Sequence, residues 1–137
     1  MGTRRFTIRV ARQGLHEITR EVHDAVAALG PRGDGLCTVF VPHTSASLLI
    51  QENADPSVQR DLERWLDRLV PEGDALYTHI AEGPDDMPAH VKAALTAVSL
   101  SIPLERGTLA LGTWQGIFLW EHRVNRGRRD VVVHVMT

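Results

Sequence analysis

Three stretches of this chain hold polar residues that a core or a turn does not require. Pro42-His43-Thr44-Ser45-Ala46-Ser47 separates two apolar runs. Side chains at a strand end stand on a rigid edge, and hydroxyls and free amides there can hold an oxyanion or phosphate. Taken alone, the stretch reads more simply as a turn in which serine and threonine satisfy the backbone. Tyr77 to His90 carries His79 and His90 together with Glu82, Asp85 and Asp86. The histidines stand 11 positions apart, far from the i, i+4 spacing of a helical zinc pair, so the fold must assemble any ion they share. His43, His79 and His90 each sit at the margin of an element. Three neutral imidazoles with one open position suit zinc or a similar ion acting as Lewis acid or water activator. Two other uses of the acidic residues stay open: Glu82, Asp85 and Asp86 can bind magnesium through water, and Asp85 or Asp86 can cap the helix that follows.

The third stretch is Gly112-Thr113-Trp114-Gln115-Gly116, followed by Glu121. Glycines here permit a bulge or the close approach of a ligand. Trp114 can then stack on a ring and Gln115 can hydrogen-bond to it; a bulge with a packed tryptophan is an equal reading. Glu52 and Asn53 suit either loop hydrogen bonds or ligand contact. Arg123, Arg126, Arg128 and Arg129 form a local basic cluster that fits one phosphate rather than a duplex. The remaining histidines are plainer: His16 and His23 fall on the polar side of a helix, His134 is a surface or interface residue, and His122 points opposite Glu121 by strand alternation.

The elements that must position these residues follow from periodicity. Arg5–Val10 alternates as a half-buried strand, and Leu15–Leu29 has helical spacing ended by Gly30-Pro31. Gly35–Val41 and Ser47–Gln51 read as strands. Asp55-Pro56 opens a helix with the apolar stripe Val58, Leu62, Trp65, Leu66 and Leu69, Trp65 serving as a core anchor. A loop over Tyr77–Met87 leads to a third helix, Pro88–Ser99, with Val91, Ala94, Leu95 and Val98 inward. Strands near Leu100–Leu104, Thr108–Gly112, Ile117–Arg123 and Val131–Met136 complete the chain. Helices that interrupt a strand-rich chain, ending in an antiparallel meander, indicate α+β.

At 137 residues the chain is a single domain, 1–137, large enough to fold without staples. Its 15 basic and 17 acidic residues give a net charge of −2, which removes the positive field of a nucleic-acid binder. Cys37 is the only cysteine, so neither an intrachain disulfide nor a thiolate zinc cluster can form, and its apolar run marks it as buried and structural. No apolar run reaches membrane-spanning length and none begins the chain, so the expected location is the cytoplasm.

Four segments together resemble the YjbQ-like family, which carries the label secondary thiamine-phosphate synthase. They are His43-Thr44-Ser45-Ala46, Gln51-Glu52-Asn53-Ala54-Asp55-Pro56, Glu82-Gly83-Pro84-Asp85-Asp86-Met87-Pro88-Ala89-His90 and Leu109-Ala110-Leu111-Gly112-Thr113-Trp114-Gln115-Gly116-Ile117. Glu121 and Arg128-Arg129 fit the family's C-terminal pattern, while His122 stands where an apolar or aromatic residue is expected. The resemblance implies an α+β fold of mostly antiparallel, sandwich-like sheets with about three helices, and a homotrimer. It also implies a divalent metal, zinc or magnesium-like, on His43, His79 and His90.

The reaction implied joins an aminopyrimidine-methyl diphosphate to a thiazole phosphate, either as the main activity or as a secondary one. Such an enzyme must neutralise departing diphosphate, position two rings and exclude water. In that scheme Thr44, Ser45, Arg128 and Arg129 assist with phosphate, Trp114 stacks on the pyrimidine, and Asn53 joins the substrate contacts. Gln115 and Glu121 are the catalytic candidates, contacting the pyrimidine amine. Two alternatives belong to other classes: a metal-dependent hydrolase of a small phosphate or ester with Glu121 or Glu82 as general base, and a non-catalytic trimeric binding module.

Overall fold

The computed structural model describes residues 1–137. Eight strands and three helices follow in the order β1 (Gly2–Val10), β2 (Gly14–Glu17), α1 (Thr19–Leu29), β3 (Gly35–Phe40), β4 (Ala46–Glu52), α2 (Pro56–Leu69), α3 (Asp86–Leu95), β5 (Ser99–Glu105), β6 (Thr108–Leu109), β7 (Gln115–Glu121) and β8 (Gly127–Met136). The strands form a five-stranded sheet, β1-β8-β3-β5-β6, and a three-stranded sheet, β2-β7-β4, with every named strand pair antiparallel. No helix is long and apolar enough to cross a membrane.

Side-chain alternation explains the layering. Cys37 and Val39 on β3, Val131, Val133 and Val135 on β8, and Ile102 and Leu104 on β5 point to one face of the large sheet and form the main core. That core is closed by Val22, Ala25 and Val26 of α1 and by Ala46, Leu48, Ile117 and Leu119 of the small sheet. The alternate residues of β7, Phe118 and Trp120, face the other way into a second core with Leu15, Leu66 and Val70. The unbroken apolar run Ile117-Phe118-Leu119-Trp120 is therefore a strand buried on both faces.

Several elements differ from the sequence expectation for identifiable reasons. The helix expected to start at Leu15 starts at Thr19. Leu15 and Ile18 are spaced as on one helix face, but Leu15 lies on β2 opposite Trp120 in the second core, while Ile18 enters the main core. His16 is accordingly a strand residue, whereas His23 is exposed on α1. The helix end holds as expected, with Gly30 in the left-handed conformation at φ 60°.

Asp55 caps α2 by accepting the Ser57 amide, but the stripe is only partly covered, and Trp65 is 51% exposed rather than a core anchor. The third helix ends at Leu95, not Ser99, because Leu48 pairs with Ala97 and draws the chain into β5. Its buried face is Asp86, Pro88, Ala89, Lys92 and Ala93; of the residues expected inward, Val91 packs half-buried against the second core, whereas Ala94 and Leu95 are exposed. The strand expected over Thr108–Gly112 is only the two-residue β6.

Candidate functional site

The turn of chain entering α3 carries the densest polar cluster. Asp86 lies in the first helical turn and His90 one turn later, so this i, i+4 pair shares a face, and the preceding loop brings His79 beside it. The Asp86 side chain is only 2% exposed. Its Oδ2 lies 2.7 Å from His79 Nε2 and 3.3 Å from His90 Nε2. One ligand atom from each of the three residues falls within 4.8 Å of the other two. The imidazoles meet edge to face with ring centroids 5.4 Å apart.

The surroundings prepare these groups. His90 Nδ1 donates to the Thr44 carbonyl at 3.1 Å, which places its ring proton on Nδ1 and leaves the Nε2 lone pair free. Arg123 Nη1 donates to Asp86 Oδ1 at 2.7 Å, its Nε to Asp85 Oδ2 at 2.8 Å and its Nη2 to the Glu82 carbonyl at 3.0 Å. Burial by itself would raise the Asp86 carboxyl, but the His79 hydrogen bond and the Arg123 guanidinium hold it below the ordinary carboxylate range. Two imidazoles and an ionised carboxylate suit a divalent ion such as zinc, and three protein donors leave open positions.

His43 is not part of this cluster. Its Nε2 accepts the Asp130 N–H at 2.9 Å, and the residue lines a separate cavity with Thr44, Ser45, Arg126 and Arg129. Of the expected set His43, His79 and His90, the fold brings His79 and His90 together beside Asp86 and leaves His43 apart. The i, i+4 relation of Asp86 to His90 was the signal available in the sequence, hidden when spacing is counted between histidines alone. Asp85 occupies the N-cap position but makes no side-chain cap; its carboxylate accepts from Arg123 and Val124 instead.

Other expected site residues fall elsewhere. Glu121 is 1% exposed, and both its oxygens are taken: Oε1 by Arg129 Nε at 2.7 Å, Oε2 by Arg129 Nη2 at 2.6 Å and by the Arg123 amide at 3.0 Å. It is a buried structural partner rather than a group presented to substrate. His122, the departure from the family pattern, is equally buried; it hydrogen-bonds Ser47 Oγ through Nε2 at 2.8 Å and is pushed down to about 3 by burial and by the charges of Lys92 and Arg129. It is a neutral core imidazole.

Arg128 pairs in register with Arg9 and is exposed, while Arg129 is buried, so the two arginines do not act together. Gln115 begins β7 and Glu121 ends it; six steps of strand put them about 20 Å apart. Trp114, Gln115 and Asn53 therefore gather at the opposite end of β7 from Glu121. Gln115 Oε1 accepts the Gly112 amide, Asn53 Nδ2 donates to Glu17, and Trp114 is 65% exposed. A Cβ on Gly116 would lie 2.7 Å from Glu17 Oε2 and 2.9 Å from Asn53 Cβ, so glycine there serves packing within the chain. Cys37 is buried as expected, its thiol pushed up to about 11.

This architecture of two antiparallel sheets and three helices is shared with known proteins. The model of the UPF0047 protein YjbQ-like family matches residues 4–137, and the chain belongs to that family. It is 54% identical over 128 residues to UPF0047 protein sll1880 of Synechocystis, covering 92% of this chain and 86% of that protein. UPF0047 protein YjbQ of Salmonella typhimurium is 45% identical, with 94% of this chain and 93% of that protein covered. Among solved structures, a YjbQ/UPF0047-family protein from Clostridium acetobutylicum superposes with a TM-score of 0.86 at 40% identity, covering 96% of this chain and 98% of that one. The hypothetical protein APE1520 from Aeropyrum pernix gives 0.88 at 28% identity, over 99% and 98% of the two chains.

Proposed function

We propose that this protein is a metal-dependent enzyme acting on a small phosphorylated substrate, with thiamine-phosphate-synthase-like transfer as its reaction. The observation that carries the reading is the convergence of His79, Asp86 and His90 ligand atoms within 4.8 Å. A divalent ion held there supplies Lewis acidity toward phosphate oxygens. The chain's own part is to prepare the donors: Thr44 fixes the His90 tautomer, and Arg123 holds Asp86 ionised with one oxygen turned to the imidazoles.

Beside His79 opens a cavity of about 360 Å³ whose walls include Tyr77, Ile80, Pro84 and Met87. An apolar wall of this kind suits an aromatic ring. Three protein donors with open positions favour chemistry over a purely structural ion, which normally has four. The same open positions support the second reading, hydrolysis of a small phosphate or ester. The pairing of both Glu121 oxygens with Arg129 weighs against Glu121 as its general base.

A homotrimer completes the proposal. Leu36, Phe40 and Met136 are 41%, 41% and 52% exposed on the face of the large sheet away from the core, where the chain supplies no covering element.

The test is turnover of aminopyrimidine-methyl diphosphate with thiazole phosphate by metal-loaded and chelated protein. The proposal expects thiamine phosphate only from loaded protein, and its loss in Asp86→Asn and His90→Ala. Release of phosphate or alcohol from a single substrate would favour hydrolysis, and full activity after chelation would overturn both readings.

A further inference from the structure

Arg129 is 98% buried yet incompletely used. Its Nε and Nη2 bind Glu121, and Nη2 also donates to the Ser45 carbonyl at 3.1 Å and Ser45 Oγ at 2.8 Å. Nη1 makes no hydrogen bond within the chain. No fully buried polar side-chain atom lacks a partner, so Nη1 emerges at a surface rather than in closed core. The surface Arg129 lines is a cavity of about 430 Å³ that it shares with His43, Thr44, Ser45 and Arg126.

The other lining groups add donors. Because His43 Nε2 accepts the Asp130 amide, a neutral His43 carries its proton on Nδ1, which has no partner in the chain. Arg126 is exposed at the rim without an ion-pair partner, and the Thr44 hydroxyl is also unengaged. No carboxylate lines the cavity: Glu121 is consumed by Arg129, and the nearby Asp130 carboxylate is tied to Thr7 and Arg5. A guanidinium fixed by a buried partner, a second free guanidinium, an imidazole N–H and a hydroxyl form the donor set that recognises a tetrahedral oxyanion.

We propose that this cavity is a phosphate-binding subsite, separate from the metal cluster and joined to it through Thr44. Thr44 lines the cavity and its carbonyl accepts His90 Nδ1, so one residue belongs to both sites. A phosphate ester anchored here touches the residue that orients a metal ligand. The ligand's being an ester rather than free phosphate rests on the proposed function; the subsite itself does not.

The experiment is calorimetric titration of inorganic phosphate into chelated wild-type protein at low ionic strength, with Arg126→Glu and His43→Leu alongside. Arg129 is left intact because removing it strands Glu121 in the core. Saturable binding is expected in wild type, weakened about tenfold or more in Arg126→Glu, as loss of a charge-assisted hydrogen bond implies. The melting temperature of Arg126→Glu should match wild type. Undiminished binding in both variants, or no saturable binding by wild type, overturns the subsite. Phosphate bound only after metal loading also overturns it while sparing the metal reading. Phosphate bound by a protein that takes up no metal sustains the subsite and removes the metal reading.

Discussion

Arg123 Nη1 lies 2.7 Å from Asp86 Oδ1, on the oxygen opposite the one that faces His79 and His90. The same guanidinium holds Asp85 and the Glu82 carbonyl, and the Arg123 amide rests on buried Glu121. One arginine thus fastens the acidic loop to the end of β7 and sets the carboxylate in place.

Replacing Arg123 by Met should weaken metal affinity about 10–100-fold, the usual consequence of losing a hydrogen-bond partner of a ligand. Arg123→Lys should recover only part, because an ammonium cannot span three acceptors in a fixed plane. Competition against a calibrated chelator measures both. Equal affinity in all three proteins would show that Asp86 needs no such support.

Glu121→Ala should destabilise the protein by about 3–5 kcal/mol, since it leaves the Arg129 guanidinium buried without its partner. Joint replacement, Glu121→Leu with Arg129→Met, should restore much of that loss. Urea denaturation of the single and double variants reads the difference. Were Glu121 instead a working general base, its removal would abolish turnover at nearly unchanged stability.

His122 gives the fold an acid sensitivity above the carboxylate range. In the folded protein its imidazole is pushed down to about 3, whereas in the unfolded chain it titrates near 6.5. Between those values the unfolded state binds the extra proton, so stability falls as pH falls, by up to about 1.4 kcal/mol per pH unit. Melting temperature followed from pH 6.5 to 4.5 should therefore decline, and the decline should be shallower in His122→Gln. An identical slope in that variant would assign the effect to other groups.

The trimer reading depends on the bare face of the large sheet. Phe40→Glu or Leu36→Glu should convert a trimer into smaller species by light scattering without unfolding it. A wild-type monomer would remove the trimer, and a variant that stays trimeric would move the interface elsewhere.

Strand and helix identities were largely legible because most apolar periods point to one core. The misreadings arise where neighbouring residues serve two cores. Leu15 and Ile18 mimic a helical stripe while entering different layers, and Trp65 continues a stripe that the chain only partly covers. Periodicity records that a side is apolar, not which layer meets it. At the site, His79 and His90 could be singled out from their positions at element ends. The Asp86–His90 pair is written in local i, i+4 spacing, whereas the placing of His43 apart from them and the hold of Arg123 on Asp86 are long-range contacts that no local spacing encodes. Glu121 and His122 show the converse: adjacent polar residues that the fold spends on its own interior.

The most direct test is cobalt(II) titration of chelated protein, followed by its visible absorption, in wild type and in Asp86→Ala, His90→Ala and His43→Ala. One ion per chain is expected in wild type and in His43→Ala, with loss of the bound-ion spectrum in Asp86→Ala and His90→Ala. Binding abolished by His43→Ala but retained in Asp86→Ala, or no binding by wild type, would contradict a metal site on His79, Asp86 and His90.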